Sequence, residues 1–286
     1  MDFTRILFPV DFSGHCEAAV AHVRSVARRF GSSVTLLHVI EYLPAYAFDV
    51  PSAPESYWQQ VRAEAVRSLH DLNNLKFTGL ETTQLIREGD VATEIVKVAD
   101  EIGAGLIMIP TRGHGRFRAA LLGSVAAKVL HDAHCPVWTS AHPEQCEPTP
   151  EAGFESILCA VGLGAETASL IRAAAELGAR TGATVRLVHA VPGEENPVQR
   201  SMDLEFARFL MESARTSIAS LQRVCGTAFD VCMETGKPSR VIAAAARHHE
   251  ADLVVIGHGK LHTFAGQFLT HAYSIVRDSP CPVLSL

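Results

Sequence analysis

The chain has 286 residues, 48% of them hydrophobic and 20% charged, with a formal net charge of -6. This length suits two domains that each bury a core, and the acidic balance supplies no global basic field, which argues against nucleic acid and membrane surfaces as partners. No apolar run approaches the roughly twenty residues of a membrane span, MDFTRILF has no signal-peptide pattern, and seven cysteines without a CxxC pair fit reduced thiols, so the cytoplasm is the expected compartment.

In chain order, strands are expected near 3–10, 33–40, 81–87, 105–110 and 136–140, with helices near 14–30, 54–76, 90–102 and 123–133. RILFPV, SVTLLHVI and GLIMIP are short apolar runs without alternation, as parallel strands covered on both faces require. Strands return near 156–161, 184–191, 228–234, 252–257 and 282–285. The return is a repeat. ILFPVD matches ILCAVG, VTLLHVI matches VRLVHAV, EGDVATEIV matches ETGKPSRVI, AGLIMIP matches ADLVVIG, and CPVWTS matches CPVLSL. A period of about half the chain is too long for a solenoid unit and marks two fused copies of one domain. The expected fold class is therefore α/β, two tandem doubly wound parallel sheets of five strands each. The expected domains are 1–140 and 154–286, joined by the polar, proline-rich linker 141–153. The aromatic stretch 41–58 is expected to pack Tyr42, Tyr46, Phe48 and Trp58 onto its own domain.

In such a sheet, ligands bind at the carboxyl ends of the strands. After the first strand stands Asp11; after the fourth come Pro110, Thr111, Arg112 and Gly113, then nine residues, then Gly123-Ser124 at a helix start. Glycines let backbone N–H groups close on an anion, and the new helix aims its positive dipole end there. Arg112, His114, Arg116 and Arg118 add donors or charge to the same loop, which suits a polyphosphate. Taken singly, Asp11 and Ser124 read as helix N-caps and the arginines as a solvated face. Together they converge on one place on the sheet.

PVDFS, LLHVI and TRGHGRFRAALLGSVAAKVL followed by CPV resemble the universal stress protein family, specifically its tandem members with two domains in one chain. The resemblance implies a Rossmann-like fold of the adenine nucleotide alpha hydrolase type, with the domains as an intramolecular pseudo-twofold pair meeting through CPVWTS and CPVLSL. It implies ATP as ligand, with Mg²⁺ or Mn²⁺ as counter-ion. The family's pattern, an Asp after the first strand and then Gly-x2-Gly-x9-Gly-Ser/Thr, puts adenine and ribose at Asp11 and Val39. It puts the phosphates at Gly113, Gly123 and Ser124, with Pro110, Arg112 and Val125 completing the cofactor-binding set. Pro110 departs from the pattern: it stands where the first glycine is expected and has no N–H to offer. The implied role is a stress-response module whose ATP-occupied state is read by an unidentified protein partner, with at most slow hydrolysis. A homodimer of the whole chain is a further possibility.

The second half departs further. Gly162 replaces the Asp, the loop begins Gly257-His258-Gly259, and Leu269-Thr270 takes the place of Gly-Ser, so its site is expected to hold no ATP. Gly162 to Thr167 imitates GxGxxG without its last glycine and is expected to be a turn. His38 and His189 recur in the second strand of each half and are expected to be hydrogen-bonded core residues. His131, His134 and Cys135 look like metal ligands, but Cys135 precedes a proline and a strand, and the two imidazoles are expected to cap the helix C-terminus rather than bind zinc. No Walker P-loop, GxSxG or HExxH occurs, so catalysis is less supported than binding. An interaction scaffold without nucleotide and a true hydrolase or transferase are the competing readings.

Overall fold

The computed structural model describes residues 1–41, 54–111, 122–140, 154–191, 200–257 and 267–286, with backbone alone over 200–204 and 267–270. The expected linker and residues 42–53 lie outside the described residues; Trp58 is half-buried, its ring 5.3 Å from that of Tyr57. The chain divides into two compact units, and among the described residues the boundary between their main bodies falls between Trp138 and Thr139.

In the first half the elements are β1 (Arg5–Pro9), α1 (Gly14–Phe30), β2 (Ser33–Ile40), α2 (Glu55–Lys76), β3 (Thr82–Glu88), α3 (Val91–Ile102), β4 (Leu106–Pro110), α4 (Ser124–Asp132) and β5 (Val137–Ser140). Their spatial order is β3-β2-β1-β4-β5. Pairing is parallel, with Ile6 of β1 facing Val34 of β2 on one side and Leu106 of β4 on the other. Helices cover both faces of these central strands, which is why Ile6, Leu7, Phe8, Leu36, Leu37, Leu106 and Ile107 are fully buried. Continuous apolar runs are what a doubly covered parallel sheet requires.

The second half repeats the order with β6 (Ser156–Ala160), α5 (Thr167–Thr181), β7 (Thr184–Val191), α6 (Arg200–Cys225), β8 (Asp230–Thr235), α7 (Pro238–His248), β9 (Leu253–Ile256), α8 (Gln267–Asp278) and β10 (Val283–Ser285). Its strands run β10-β9-β6-β7-β8. Ile157 faces Val185 and Leu253, the same register as Ile6 in the first half. Each expected strand and helix is present within a few residues. Thr139, in the second unit by contacts, donates through Oγ1 to the carbonyl of Val283 at 3.3 Å.

One backbone device recurs where β3 and β8 end. Gly89 and Gly236 have φ of 143° and 146°, a region closed to side chains, and their N–H groups donate at 3.0 Å to Ile40 and Val191, the last residues of β2 and β7. The turn ties the ends of neighbouring strands together on the side where a ligand would bind.

Candidate functional site

Asp11 follows β1 on a turn whose next residue, Phe12, has φ +58°. A bulky residue holds this left-handed conformation only when its surroundings fix it. They do so here from β2: His38 Nδ1 donates to the Val10 carbonyl at 2.7 Å, and the Phe12 ring lies 4.8 Å from the imidazole. The turn then presents Asp11 Oδ1 to the N–H and hydroxyl of Ser13 at 3.0 and 2.7 Å. Ser13, not Asp11, is the N-cap of α1, accepting from the Cys16 N–H at 3.2 Å. Reading Asp11 as a helix cap is thereby corrected: the carboxylate orients the residue that caps. Burial pushes the Cys16 thiol just behind it up to about 12, against the opposing pull of hydrogen bonds from the Asp11 and Phe12 backbone. Cys16 is a neutral packing residue at physiological pH.

On the neighbouring strand, Pro110 ends β4 with every residue of the strand buried. The Gly123 N–H donates to the Thr111 carbonyl at 2.8 Å, which brings the start of α4 back to the end of β4. Gly123 is the N-cap, with extended backbone and no side chain to bond the first-turn N–H groups. A helix start without a capping side chain keeps its donors and dipole available to an anion. Ser124 is the first helical residue and is exposed, while Val125 is half-buried. The alternative of Ser124 as N-cap is corrected by one position.

Because β1 lies between β2 and β4, the chain leaves β1 towards one side of the sheet and β4 towards the other, and a crevice opens at such a switch point. Asp11 and the Pro110–Gly123 pair stand at its two lips. Val39 completes the edge from β2, two residues beyond Leu37, whose carbonyl accepts from the Val10 N–H at 2.7 Å. The fold therefore brings Asp11, Val39, Pro110, Gly123, Ser124 and Val125 to one end of one sheet. Arg112 and Gly113, with His114, Arg116 and Arg118, lie outside the described residues.

An ionic clip that no sequence motif marks braces this helix. Asp90 caps α3 by accepting from the Thr93 N–H at 2.9 Å, and Lys128 of α4 donates to Asp90 Oδ1 at 2.8 Å and to Thr93 Oγ1 at 3.0 Å. Hydrogen bonding from Lys128 and then Thr93 lowers the Asp90 carboxyl to about 2. The capping pattern Asp90-x-x-Thr93 was readable in sequence; its partner, 38 residues on, was not.

The second half keeps the scaffold and lacks the residues gathered at this crevice in the first. Leu163 repeats the left-handed turn with φ +58°, and His189 Nδ1 donates to the Val161 carbonyl at 2.8 Å; both recurrent histidines are hydrogen-bonded as expected, but only His189 is a buried core residue, His38 being half-buried. Gly162 to Thr167 is the turn expected in place of a dinucleotide fingerprint, with α5 starting at Thr167. No carboxylate stands at Gly162. Instead Glu166, the residue before α5, makes no cap bond; its carboxylate oxygens lie 2.7 and 2.9 Å from where a Cβ on Gly164 would stand, and its Cγ 3.7 Å from the same point on Gly257. A negative charge thus lies across the lip that an anion would need. Helix α8 starts at Gln267, so Leu269 and Thr270 are inside the helix instead of at its mouth. Lys237 takes the place of Asp90 before α7. His258 and Gly259 lie outside the described residues.

The remaining polar cluster serves structure. His134 Nδ1 lies 3.2 Å from Asp100 and His131 Nδ1 beside Asp132. Both imidazoles meet carboxylates rather than the last carbonyls of α4 that sequence suggested. Burial, with Asp100 nearby, pushes the Cys135 thiol up to about 11. Among the described residues no group of His, Cys, Asp and Glu is arranged to hold a metal ion, and no helix is long and apolar enough to cross a membrane.

Comparison with known proteins gives the same two-part picture. The chain is 28% identical over 144 residues to a universal stress protein of Methanocaldococcus jannaschii, which covers 50% of this chain and 85% of the relative. A universal stress protein of Synechocystis is 33% identical over 141 residues, covering 47% and 83%. The crystal structure of a universal stress protein from Archaeoglobus fulgidus superposes with a TM-score of 0.71 at 20% identity, across 98% of this chain and 95% of that one. That likeness fixes the fold over both halves. The family model for universal stress proteins matches twice, over residues 2–140 and 153–286, and the chain therefore belongs to the universal stress protein family as a tandem, two-domain member.

Proposed function

We propose that this protein binds one ATP, with Mg²⁺ or Mn²⁺ as counter-ion, in its first domain, and acts in the cytoplasm as a nucleotide-dependent signalling or regulatory module. The observation that carries the reading is the pairing at one crevice of the Ser13-anchored Asp11 carboxylate with the uncapped, glycine-led start of α4. Asp11 and Val39 are assigned to the nucleoside, where a fixed carboxylate accepts from ribose hydroxyls or adenine. Gly123, Ser124 and Val125 are assigned to the phosphates, where backbone N–H groups and the helix dipole stabilise negative charge. Arg112 and Gly113 are assigned to the same end from sequence. Pro110 supplies a rigid strand end rather than a donor.

Hydrolysis is assigned at most a slow rate. Among the described residues the crevice supplies no side chain arranged as a general base for water, and the Cys16 thiol is held neutral. The free thiols of Cys16, Cys135, Cys159, Cys225, Cys232 and Cys281 support the reducing compartment. The test is native mass spectrometry of the purified protein followed by calorimetry with ATP and Mg²⁺. One nucleotide per chain is expected; two would overturn the asymmetry between the domains, and none would leave the scaffold reading in its place.

A further inference from the structure

Among the described residues, those assigned to the phosphates, Gly123, Ser124 and Val125, carry no charge, and Asp11 on the other lip of the crevice is an anion. A polyphosphate is held most strongly where a cation meets it. Lys128 is the first cation along α4. It stands four residues after Ser124, so the two share one face of the helix, and helical side chains lean back over the preceding turn. The ammonium is therefore carried towards the start of α4. Its partners lie at the same end of the sheet: Asp90 is the N-cap of α3 and Thr93 is in its first turn, and α3, like α4, begins where a strand has ended.

The fold does not require this clip. Lys237, Arg240 and Ser274 stand in the second copy where Asp90, Thr93 and Lys128 stand in the first, and the Ser274 hydroxyl turns back on the His271 carbonyl at 2.8 Å; α7 and α8 pack together nonetheless. The copy without the glycine-led helix start thus also lacks each member of the clip. The pair is weak enough to yield. Its side chains are 46% and 57% exposed, and exposed ion pairs contribute little net stability. Asp90 also accepts from the Thr93 N–H at 2.9 Å, so α3 keeps its cap if the ammonium leaves. We propose that Lys128 is a further phosphate-binding residue of the first domain: Asp90 and Thr93 hold its ammonium, and the terminal phosphate of a nucleoside triphosphate draws it away. The inference rests on the nucleotide reading above and adds a route outward, because occupancy of the crevice removes a cation from the start of α3.

Calorimetry in the presence of Mg²⁺, with ATP, adenosine and inorganic tripolyphosphate as ligands, tests the assignment. Lys128→Met is expected to weaken ATP about tenfold or more, the loss of a hydrogen bond between charged groups, and to leave adenosine unchanged. Asp90→Asn breaks the same pair from the other side and frees the ammonium, so it is expected to tighten ATP about threefold, the scale of an exposed ion pair. The two signs must be opposite. A clip that merely braced α4 would make both substitutions weaken ATP. Lys128→Met that binds ATP like the wild type, or Asp90→Asn that weakens it, overturns the proposal and leaves the nucleotide reading standing. Tripolyphosphate separates the two: if the wild type binds it through Lys128 but takes no ATP, the nucleotide reading fails alone, and if the wild type binds neither, both fall.

Discussion

The two turns that follow β1 and β6 share a backbone and differ in chemistry. Both put a bulky residue at φ +58°, Phe12 and Leu163, and both hold the preceding carbonyl with a strand histidine. Strain of this kind costs on the order of 1–3 kcal/mol, and the second domain retains it without the carboxylate it presents in the first. The strained turn thus belongs to the duplicated fold, and Asp11 is the carboxylate that the first domain alone places on it. The same contrast appears at the other lip, where α4 begins at a glycine cap while α8 begins two residues before Leu269.

The largest effect is expected from removing what only the first domain has. Asp11→Ala should weaken ATP and adenosine alike by about 2 kcal/mol, the worth of hydrogen bonds to a charged acceptor, with calorimetry as the measurement. Adenosine binding equal to wild type would remove Asp11 from the nucleoside end. Copying the second domain into the first comes next: Gly123→Leu should lower ATP affinity at least tenfold, about 1.4 kcal/mol, with the fold intact. Unchanged affinity would place the phosphates elsewhere. Ser124→Ala separates the two ends of the ligand, costing ATP about 1 kcal/mol through one lost hydroxyl and leaving adenosine nearly untouched; equal losses for both ligands would contradict the assignment.

The smallest effect concerns the clip absent from the second domain. Asp90 titrates at about 2 in the folded protein against an ordinary 3.8. A lowered carboxyl stabilises the fold above its unfolded value, and that contribution disappears as pH falls through the folded one. Denaturation curves of wild type and Asp90→Asn should therefore differ above pH 4 and converge near pH 2. The gap is expected to be small, because both side chains are largely exposed. Parallel curves across that range would show that the clip contributes nothing through ionisation.

Much of this architecture was legible because its signals are local. Apolar runs of strand length, their alternation with helical segments and their return in the second half need only neighbouring residues to be read, and Asp11, Gly123 and Ser124 were found by the same reading. The recurrence of His38 and His189 even pointed to the turn they hold, though not to its φ. Sequence by itself determined the duplicated α/β fold and which copy kept a carboxylate after its first strand. Tertiary structure decided the rest: that Ser13 rather than Asp11 caps α1, that Lys128 reaches Asp90, that Glu166 lies over Gly164 and towards Gly257, and that α8 starts too early to leave a glycine-like mouth. Each of these depends on where separate strands and helices end relative to one another. That is fixed by packing between distant segments, and no spacing within one segment encodes it.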